Sequence, residues 1–326
     1  MTKESSKNKT NFDNDVVEIG NRFQSNTETP KIFCGGSRCA GISRKSFKGK
    51  PLITVITVTF NSDLRFENTI ESVLSQTYDN IEYIIIDGGS TNGTIDIVKK
   101  YSNKLDYWIS EPDNGIYDAM NKGIKTANGE CVVFLNSDDI FESNNVVEYF
   151  KDVIIQNPEI DMFYGKVAIY QNDRLLRYIG EKIEERDYYH PSKHICHQGI
   201  FFRKKIFDTV GLFDTKFPGG ISDYIWLVNF LYFKHGKFLF VDKIVSRFSQ
   251  GGYSEKYIWK AYMAHLCFAN RMFPVSVRLK YYLKFPEYFI KFKILRLHED
   301  TPFRRFYRKI KFKILDKKTI RNDQSV

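Results

Sequence analysis

Three apolar runs in the first half of the chain each break off into small polar and acidic residues, and this repetition constrains the fold more than any other feature. Leu52–Thr59 (LITVITVT) runs into Phe60, Asn61 and Ser62. Ile81–Asp87 (IEYIIID) runs into GGS at 88–90, and Cys131–Leu135 (CVVFL) runs into Asn136, Ser137, Asp138 and Asp139. Short β-branched and aromatic runs of this kind suit strands buried on both faces of a sheet. Between them lie stretches with helical spacing. Phe66, Ile70, Val73 and Leu74 share one face of a helix that Asn61 or Ser62 can cap and that runs to about Gln76. A second helix, capped by Ser90 or Thr91, runs to about Tyr101, and a third spans Ile116 to Thr126. With one more strand near 105–109, strand and helix alternate in short units, which predicts an α/β fold with a mostly parallel central sheet flanked by helices.

A parallel sheet gathers the C-terminal ends of its strands along one edge, and open α/β sheets bind their ligands there. The groups expected to converge are Thr59–Ser62, Asp87–Thr91 and Asn136–Asp139. Gly88 and Gly89 allow backbone to approach a ligand closely. Asp138 and Asp139 repel one another unless a cation or a hydrogen-bond network shares them. Mg2+ and Mn2+ favour such oxygen ligands and keep substrate phosphates as co-ligands. On these residues alone, an acidic turn capping the next helix accounts for the pair equally well. No G-x-G-x-x-G follows the first strand and no G-x-x-x-x-G-K-[ST] occurs, which excludes dinucleotide and P-loop binding. A nucleotide held by carboxylates and a metal, without a glycine loop around its phosphates, points to a diphosphate bridged by the ion.

Beyond Asp139 the pattern loosens. A helix is expected over 145–156, with short strands near 161–170, 198–202 and 238–245. A largely buried helix begins near Asp223 and carries Ile225, Leu227, Val228, Leu231 and Tyr232. These elements complete a mixed sheet within the same domain and supply its acceptor side. Tyr117 and Met120 sit at helical spacing and are expected in the core. His190, His194 and His197, in HPSKHICHQ, lack zinc-ligand spacing and read as a hydrogen-bonded loop.

The ends of the chain differ from its body. Residues 1–30 are polar and expected to be disordered, and 31–50 form a Gly- and Ser-rich basic lead-in arm, so the fold is expected to begin at Pro51. The N-terminus has no apolar signal core, and no run reaches the roughly 18 apolar residues of a membrane span. Five scattered cysteines are most simply reduced thiols of a cytoplasmic protein, with Cys34 and Cys39 a weak candidate for a metal or disulfide pair. Fourteen Lys and Arg face four acidic residues between Arg278 and Lys318, which accounts for the whole formal charge of +10. LKYYLKFPEYFIKFKILRL and FRRFYRKIKFKIL interleave these cations with Phe, Tyr, Ile and Leu, the composition of an interfacial anchor. Solvated or partner-binding basic helices share that composition, as do nucleic-acid tails. The expectation is a peripheral position on the inner face of the cell membrane, without nucleic acid as a partner. The chain thus divides into a lead-in arm (1–50), a domain with a nucleotide half (51–140) and an acceptor half (141–253), and a basic aromatic helical tail (254–326).

The blocks ITVITVTFNS, TIESVLSQTYDNIEYIIIDGGSTNGT, SEPDNGIYDAMNKGI and GECVVFLNSDD, taken in order, resemble the family 2 glycosyltransferases of bacterial polysaccharide synthesis over about Pro51 to Tyr253. The resemblance implies the Rossmann-like GT-A fold, a nucleotide-sugar donor (UDP-linked), Mn2+ or Mg2+, and inverting transfer to a hydroxyl of a glycan or lipid-linked acceptor. It also implies roles. Asp87 matches the acidic residue facing the nucleotide base, and Thr59 and Asn61 line the same pocket. Asp138 matches the ribose-side carboxylate, Asp139 the metal-side one and Asp223 the general base. His197, followed by Gln198, matches a position near the diphosphate or acceptor. Three departures stand out: Asn136 replaces the Asp that opens the usual D-x-D, Gly88 the second Asp of the usual pair, and Ser222 the Glu before the base. A non-catalytic nucleotide- or glycan-binding scaffold of a polysaccharide assembly complex is the alternative, with Asn136 as decay.

Overall fold

The protein's structure, a computed structural model, describes residues 32–62, 65–171, 173–184, 195–217, 220–249, 258–286 and 289, together with the backbone of Val17–Ile19. The chain opens with β1 (Val17–Ile19) and β2 (Ile32–Gly35). It continues through β3 (Ile53–Thr59), α1 (Arg65–Leu74), β4 (Ile81–Asp87), α2 (Thr94–Tyr101), β5 (Tyr107–Ser110), α3 (Ile116–Thr126) and β6 (Cys131–Phe134). The second half holds β7 (Ile140–Phe141), α4 (Val146–Gln156), β8 (Met162–Gln171), β9 (Arg174–Ile179), β10 (Ile200–Arg203), α5 (Ile206–Val210), α6 (Ser222–Val228) and β11 (Phe238–Ser249). Two helices follow, α7 (Ile258–Met272) and α8 (Val275–Tyr282).

All these strands join one sheet, in the order β1-β2-β5-β4-β3-β6-β10-β8-β11-β7 with β9 beside β8. The stretch β5-β4-β3-β6 is parallel, as the alternation of strand and helix requires. β10 then runs antiparallel to both its neighbours, and β11 is parallel to β8 but antiparallel to β7, which makes the second half mixed. Register matters for function: Thr59 pairs with Asp87 and Asp87 with Ser110, so three strands end level at one edge.

Alternating side chains of the central strands feed two cores. Val55, Ile85 and Val133 pack with Phe66, Ile70 and Val73 of α1 and with Phe150 of α4 on one face. Ile56, Ile84 and Phe134 pack with Met120 and Ile124 of α3 and with Trp226 of α6 on the other. Each fully buried residue of this size contributes roughly 1.5–3 kcal/mol. The periodicity expected for α1 and α3 is therefore met by opposite faces of one sheet.

The lead-in arm departs from expectation. Phe33, Cys34 and Gly35 pair with Ser110, Ile109 and Trp108 of β5, so the sheet begins well before Pro51. Arg38 then reaches the buried Glu82 carboxylate at 3.3 Å and the carbonyl of Thr126 at 2.8 Å. Three apolar residues, Ile32 to Cys34, are enough for an edge strand once a partner strand is exposed, but the polar residues around them hide the signal. The strands β7 and β9 were also unforeseen, the first because it has two residues and the second because little of it is buried.

α7 and α8 form a third cluster with α6, through Val228, Phe268, Ala269, Phe273, Val277 and Tyr281. Residues 290–326, which carry FRRFYRKIKFKIL, lie outside the described residues. Among the described residues no helix is long and apolar enough to cross a membrane.

Candidate active site

The edge where β3, β4 and β5 end is knit together by side chains that the sequence singled out. Asp87 is almost fully buried, and its carboxylate accepts from Gly89 N (3.0 Å), Ser90 N (2.8 Å), Ser90 Oγ (2.5 Å) and Ser110 Oγ (2.7 Å). Gly89 turns through φ +81°, a conformation open chiefly to glycine. Three of these donors reach Oδ2 and one reaches Oδ1, so the carboxylate expected to face a nucleotide base also shapes the turn. Asn61 binds the same turn from the other side: its amide N–H donates to Ser90 Oγ at 2.7 Å and its Oδ1 accepts from Thr91 N at 2.9 Å. Thr59 Oγ1 is 2.8 Å from Ser62 Oγ, which donates to Ser137 Oγ at 2.7 Å. The three expected groups therefore do converge.

At the tip of β6 the two aspartates part company. Asp139 is 2% exposed, and its oxygens accept from Gln198 Nε2 at 3.2 Å and Ser249 N at 3.1 Å. Burial, reinforced by the charge of Asp138, pushes its carboxyl up to about 7 despite those hydrogen bonds. The carboxylate expected to take the metal thus faces inward and joins β6 to the 197–199 turn and to the end of β11. Asp138 remains half-buried at the tip. Nearby, Asn136 Oδ1 is buried without a hydrogen-bond partner among the described residues. An orphaned amide oxygen beside a carboxylate suits a hard cation that also takes phosphate oxygens and waters. Among the described residues no cluster of three His, Cys, Asp or Glu is arranged for a metal.

The acceptor half contributes the most connected group. Asp223 lies in the first turn of α6, whose N-cap is Ile221. Its Oδ1 accepts from Tyr117 Oη at 2.7 Å, and its Oδ2 lies 2.9 Å from His197 Nδ1. The far nitrogen of that ring, Nε2, lies 3.3 Å from Asn136 Nδ2. An unbroken chain thus runs from α3 through α6 to the tip of β6. Burial alone would raise the Asp223 carboxyl. Hydrogen bonds from His197 and Tyr117, with the His197 charge, outweigh it and hold the group below the usual carboxylate range.

Packing fixes this geometry. Trp226, one turn along α6, meets Phe202 edge-on at 5.3 Å, stacks on Phe230 at 5.6 Å and donates to Gly211 O at 2.7 Å. Asn121 on α3 exchanges two hydrogen bonds with the backbone of Phe213, which holds α3 against the approach to α6.

Tyr117 was expected in the core. Its ring is buried there, but its hydroxyl is spent on Asp223. Met120 is wholly core. Gln198, beside His197, is buried and holds Asp139. One further residue went unread. Phe60 is 62% exposed at the end of β3, an exposure whose only sequence signal was an aromatic just past a buried run. His190 and His194 lie outside the described residues. Cys34 and Cys39 are not joined by a disulfide, and their sulfurs lie 4.0 Å apart.

Residues 54–211 match the family described as Glycosyl transferase family 2. A PGL/p-HBAD biosynthesis glycosyltransferase of Mycobacterium bovis is 26% identical over 228 residues, covering 68% of this chain and 86% of that protein. An uncharacterized glycosyltransferase of Mycobacterium tuberculosis is 33% identical over 172 residues, or 51% of this chain and 64% of the relative. Among solved structures, S. aureus TarS 1-349 in complex with UDP-GlcNAc aligns with a TM-score of 0.52 at 18% identity, over 76% of this chain and 77% of that one. The mannosyltransferase PcManGT of Pyrobaculum calidifontis, in complex with GDP-Man and Mn2+, aligns with a TM-score of 0.50 at 17% identity, over 78% and 72%. At such identities the structural likeness speaks for the fold alone, and that fold is GT-A.

Proposed function

Through residues 54–211 this chain belongs to the family 2 glycosyltransferases, and on that premise we propose that it moves a sugar from a nucleotide-sugar donor to a hydroxyl of a glycan or lipid-linked acceptor, with inversion, in bacterial surface polysaccharide synthesis. The observation that carries this reading is the link from Asp223 through His197 to Asn136, which sets a proton acceptor opposite the strand tip where the donor diphosphate would lie.

In this reaction the acceptor oxygen bonds to the anomeric carbon as the bond from that carbon to the donor phosphate breaks, and its electron pair leaves with the nucleoside diphosphate. The acceptor's proton passes to an oxygen of Asp223. Its lowered pKa keeps that carboxylate ionised at neutral pH. Tyr117 and His197 hold it in one orientation, so little reorganisation is needed when the acceptor arrives. Asn136 fixes the His197 ring from the other side. The exposed ring of Phe60 offers the base a stacking face, and Asn61 holds the turn beside it. Mn2+ or Mg2+, held by Asp138 with Asn136 Oδ1 at hand, would neutralise charge on the leaving diphosphate as a Lewis acid.

The membrane reading rests on α7 and α8. Val275, Leu279, Tyr282, Leu283 and Phe285 are exposed on the helical pair, interleaved with Arg278, Lys280 and Lys284. Anionic lipid attracts each such cation by about 1 kcal/mol, which would hold the enzyme against the inner leaflet beside a lipid-linked acceptor.

The reading is tested by incubating the full chain with a panel of nucleotide sugars and Mn2+ and measuring release of nucleoside diphosphate, with the anomeric configuration of any product read by NMR. Release from one donor and an inverted product are expected. Binding without turnover on any donor, with a range of glycan acceptors supplied, would favour the scaffold alternative.

A further inference from the structure

The lead-in arm meets the sheet through little apolar surface. Its strand β2 offers Ile32, Phe33 and Cys34 and then two glycines that close packing demands. A Cβ built on Gly35 would lie 2.6 Å from Trp108 Nε1, and Gly36 turns through φ +100° with its Cβ position 2.8 Å from Asp106 O. Consecutive glycines lose the most backbone freedom on folding, so this edge of the sheet is held weakly by its own residues. A single 3-10 turn, Ser37–Ala40, follows and is fastened to the sheet by Ser37 N to Leu105 O at 3.0 Å and Arg38 N to Asp106 O at 2.9 Å. That turn returns Cys39 to β2, where its thiol donates to Cys34 Sγ at 4.0 Å. Cys34 is buried opposite Ile109 of β5, whereas Cys39 is exposed.

From this juxtaposition we propose that Cys34 and Cys39 form a reversible thiol–disulfide site: a hydroperoxide oxidises Cys39, Cys34 resolves it, and the bond between them clasps the arm to the sheet. The division of roles follows from burial. Cys39 is open to a peroxide in solvent. Burial, reinforced by the neighbouring Cys39, pushes the Cys34 thiol up to about 11, so it stays protonated and slow toward peroxide at neutral pH. In the first step the Cys39 thiolate sulfur bonds to a peroxide oxygen as the O–O bond breaks, giving Cys39 sulfenic acid and a hydroxide that takes up a proton. In the second the Cys34 sulfur bonds to the Cys39 sulfur, the S–O bond breaks, and the hydroxyl leaves as water with the Cys34 proton. Each sulfur is thereby oxidised by one electron and the peroxide is reduced to water. The sulfurs must close to about 2.05 Å, and the exposed Cys39 side chain has the room to move. A dithiol reductant reverses the bond by exchange. A metal needs more than two sulfurs, and among the described residues no third His, Cys, Asp or Glu joins them. The bond closes a loop around Arg38, whose guanidinium already reaches Glu82 and the carbonyl of Thr126, so it fixes the arm at the point where the arm is anchored.

The test is peptide mapping of the full chain, reduced and then treated with hydrogen peroxide under native conditions, with remaining thiols alkylated before digestion. Trypsin cuts after Lys31, Arg38 and Arg44, so the cysteines fall in separate peptides, IFCGGSR and CAGISR. In the oxidised wild type these peptides are expected joined, about 2 Da lighter than the sum of their free-thiol masses, and parted again by dithiothreitol. Cys34→Ser should instead hold Cys39 as a sulfenic acid that dimedone captures, and Cys39→Ser should leave Cys34 unoxidised. The clasp is read by hydrogen exchange: amides of 32–36 should exchange at least about tenfold more slowly in the oxidised protein than in the reduced one, because the closed loop removes freedom from the opened arm. Recovery of both peptides alkylated and unlinked, or of Cys39 joined to Cys267 or to a second chain, overturns the site. Cys39 carried on to sulfinic acid in the wild type overturns the role of Cys34. Equal exchange in the two forms overturns the clasp.

Discussion

Asp87 and Asp223 are carboxylates placed near the same cleft, one in the parallel half of the sheet and one in the mixed half, and their surroundings are opposite in kind. Four donors bind Asp87, two of them backbone amides of its own turn, and all come from residues within the strand ends. Two side chains from distant parts of the chain, Tyr117 and His197, donate to Asp223, beside the backbone of its neighbour Tyr224. Backbone donors cannot leave without refolding the turn, so Asp87 is committed to shape. A phenol and an imidazole can shift by a rotamer or exchange a proton, so Asp223 stays available to a ligand. Asp139, locked by Gln198 and the backbone of Ser249, belongs with Asp87, whereas Asp138 beside it is more exposed. An acidic residue at a strand end is thus a weak pointer to chemistry until its donors are known.

The sharpest way to break this division is to remove charge at each pole. Asp223→Asn should fold and bind donor normally but lose 10²- to 10⁴-fold in kcat, the usual worth of a general base; turnover within a few-fold of wild type would move the base elsewhere. Asp87→Ala should act on stability instead, lowering it by about 1–3 kcal/mol because the donors of the turn lose their shared acceptor, as read by chemical denaturation. A stable variant that merely weakens nucleotide binding would return Asp87 to the base pocket.

The second pair sharpens the contrast at β6. Asp138→Ala should weaken Mn2+-dependent donor binding by at least about 10–100-fold, the loss usual for partners of metal sites, with an unchanged melting temperature. Asp139→Ala should lower the melting temperature and, if it folds, retain Mn2+ dependence. Calorimetry and thermal melting on both variants separate the roles, and the reverse pattern would give the ion to Asp139.

A smaller effect concerns pH. A carboxylate base works only when ionised, so activity falls as pH drops through its pKa. His197 and Tyr117 hold that pKa down against burial. His197→Ala leaves burial less opposed, so the acidic limb of the kcat/KM profile should move to higher pH. A merely structural histidine would lower activity evenly across the profile. The smallest effect is expected at the tail: deleting 275–326 should abolish binding to anionic liposomes at low salt while leaving hydrolysis of donor in solution within a few-fold. Full-length protein that ignores such liposomes would defeat the membrane reading.

The parallel half of the fold was legible because its strands and helices carry unbroken local signals. β4 and α3 fall at the expected residues, and β3 and β6 within one. Such runs are set by nearest-neighbour burial, which periodicity reports directly. β2 was missed because an edge strand needs only three apolar residues and borrows its order from β5.

What the sequence determined alone is the sheet, the edge where its strands end, and the set of polar residues brought there, because these follow from local burial and chain direction. Which of those residues face outward was decided by contacts between segments far apart in the chain. Asp139 is turned inward by Gln198 and Ser249, the hydroxyl of Tyr117 is claimed by Asp223, and the space above Gly88 is filled by Asp113. A carboxylate carries the same charge whichever way it points, so composition and spacing register its presence, and only the donors that surround it in three dimensions assign its task.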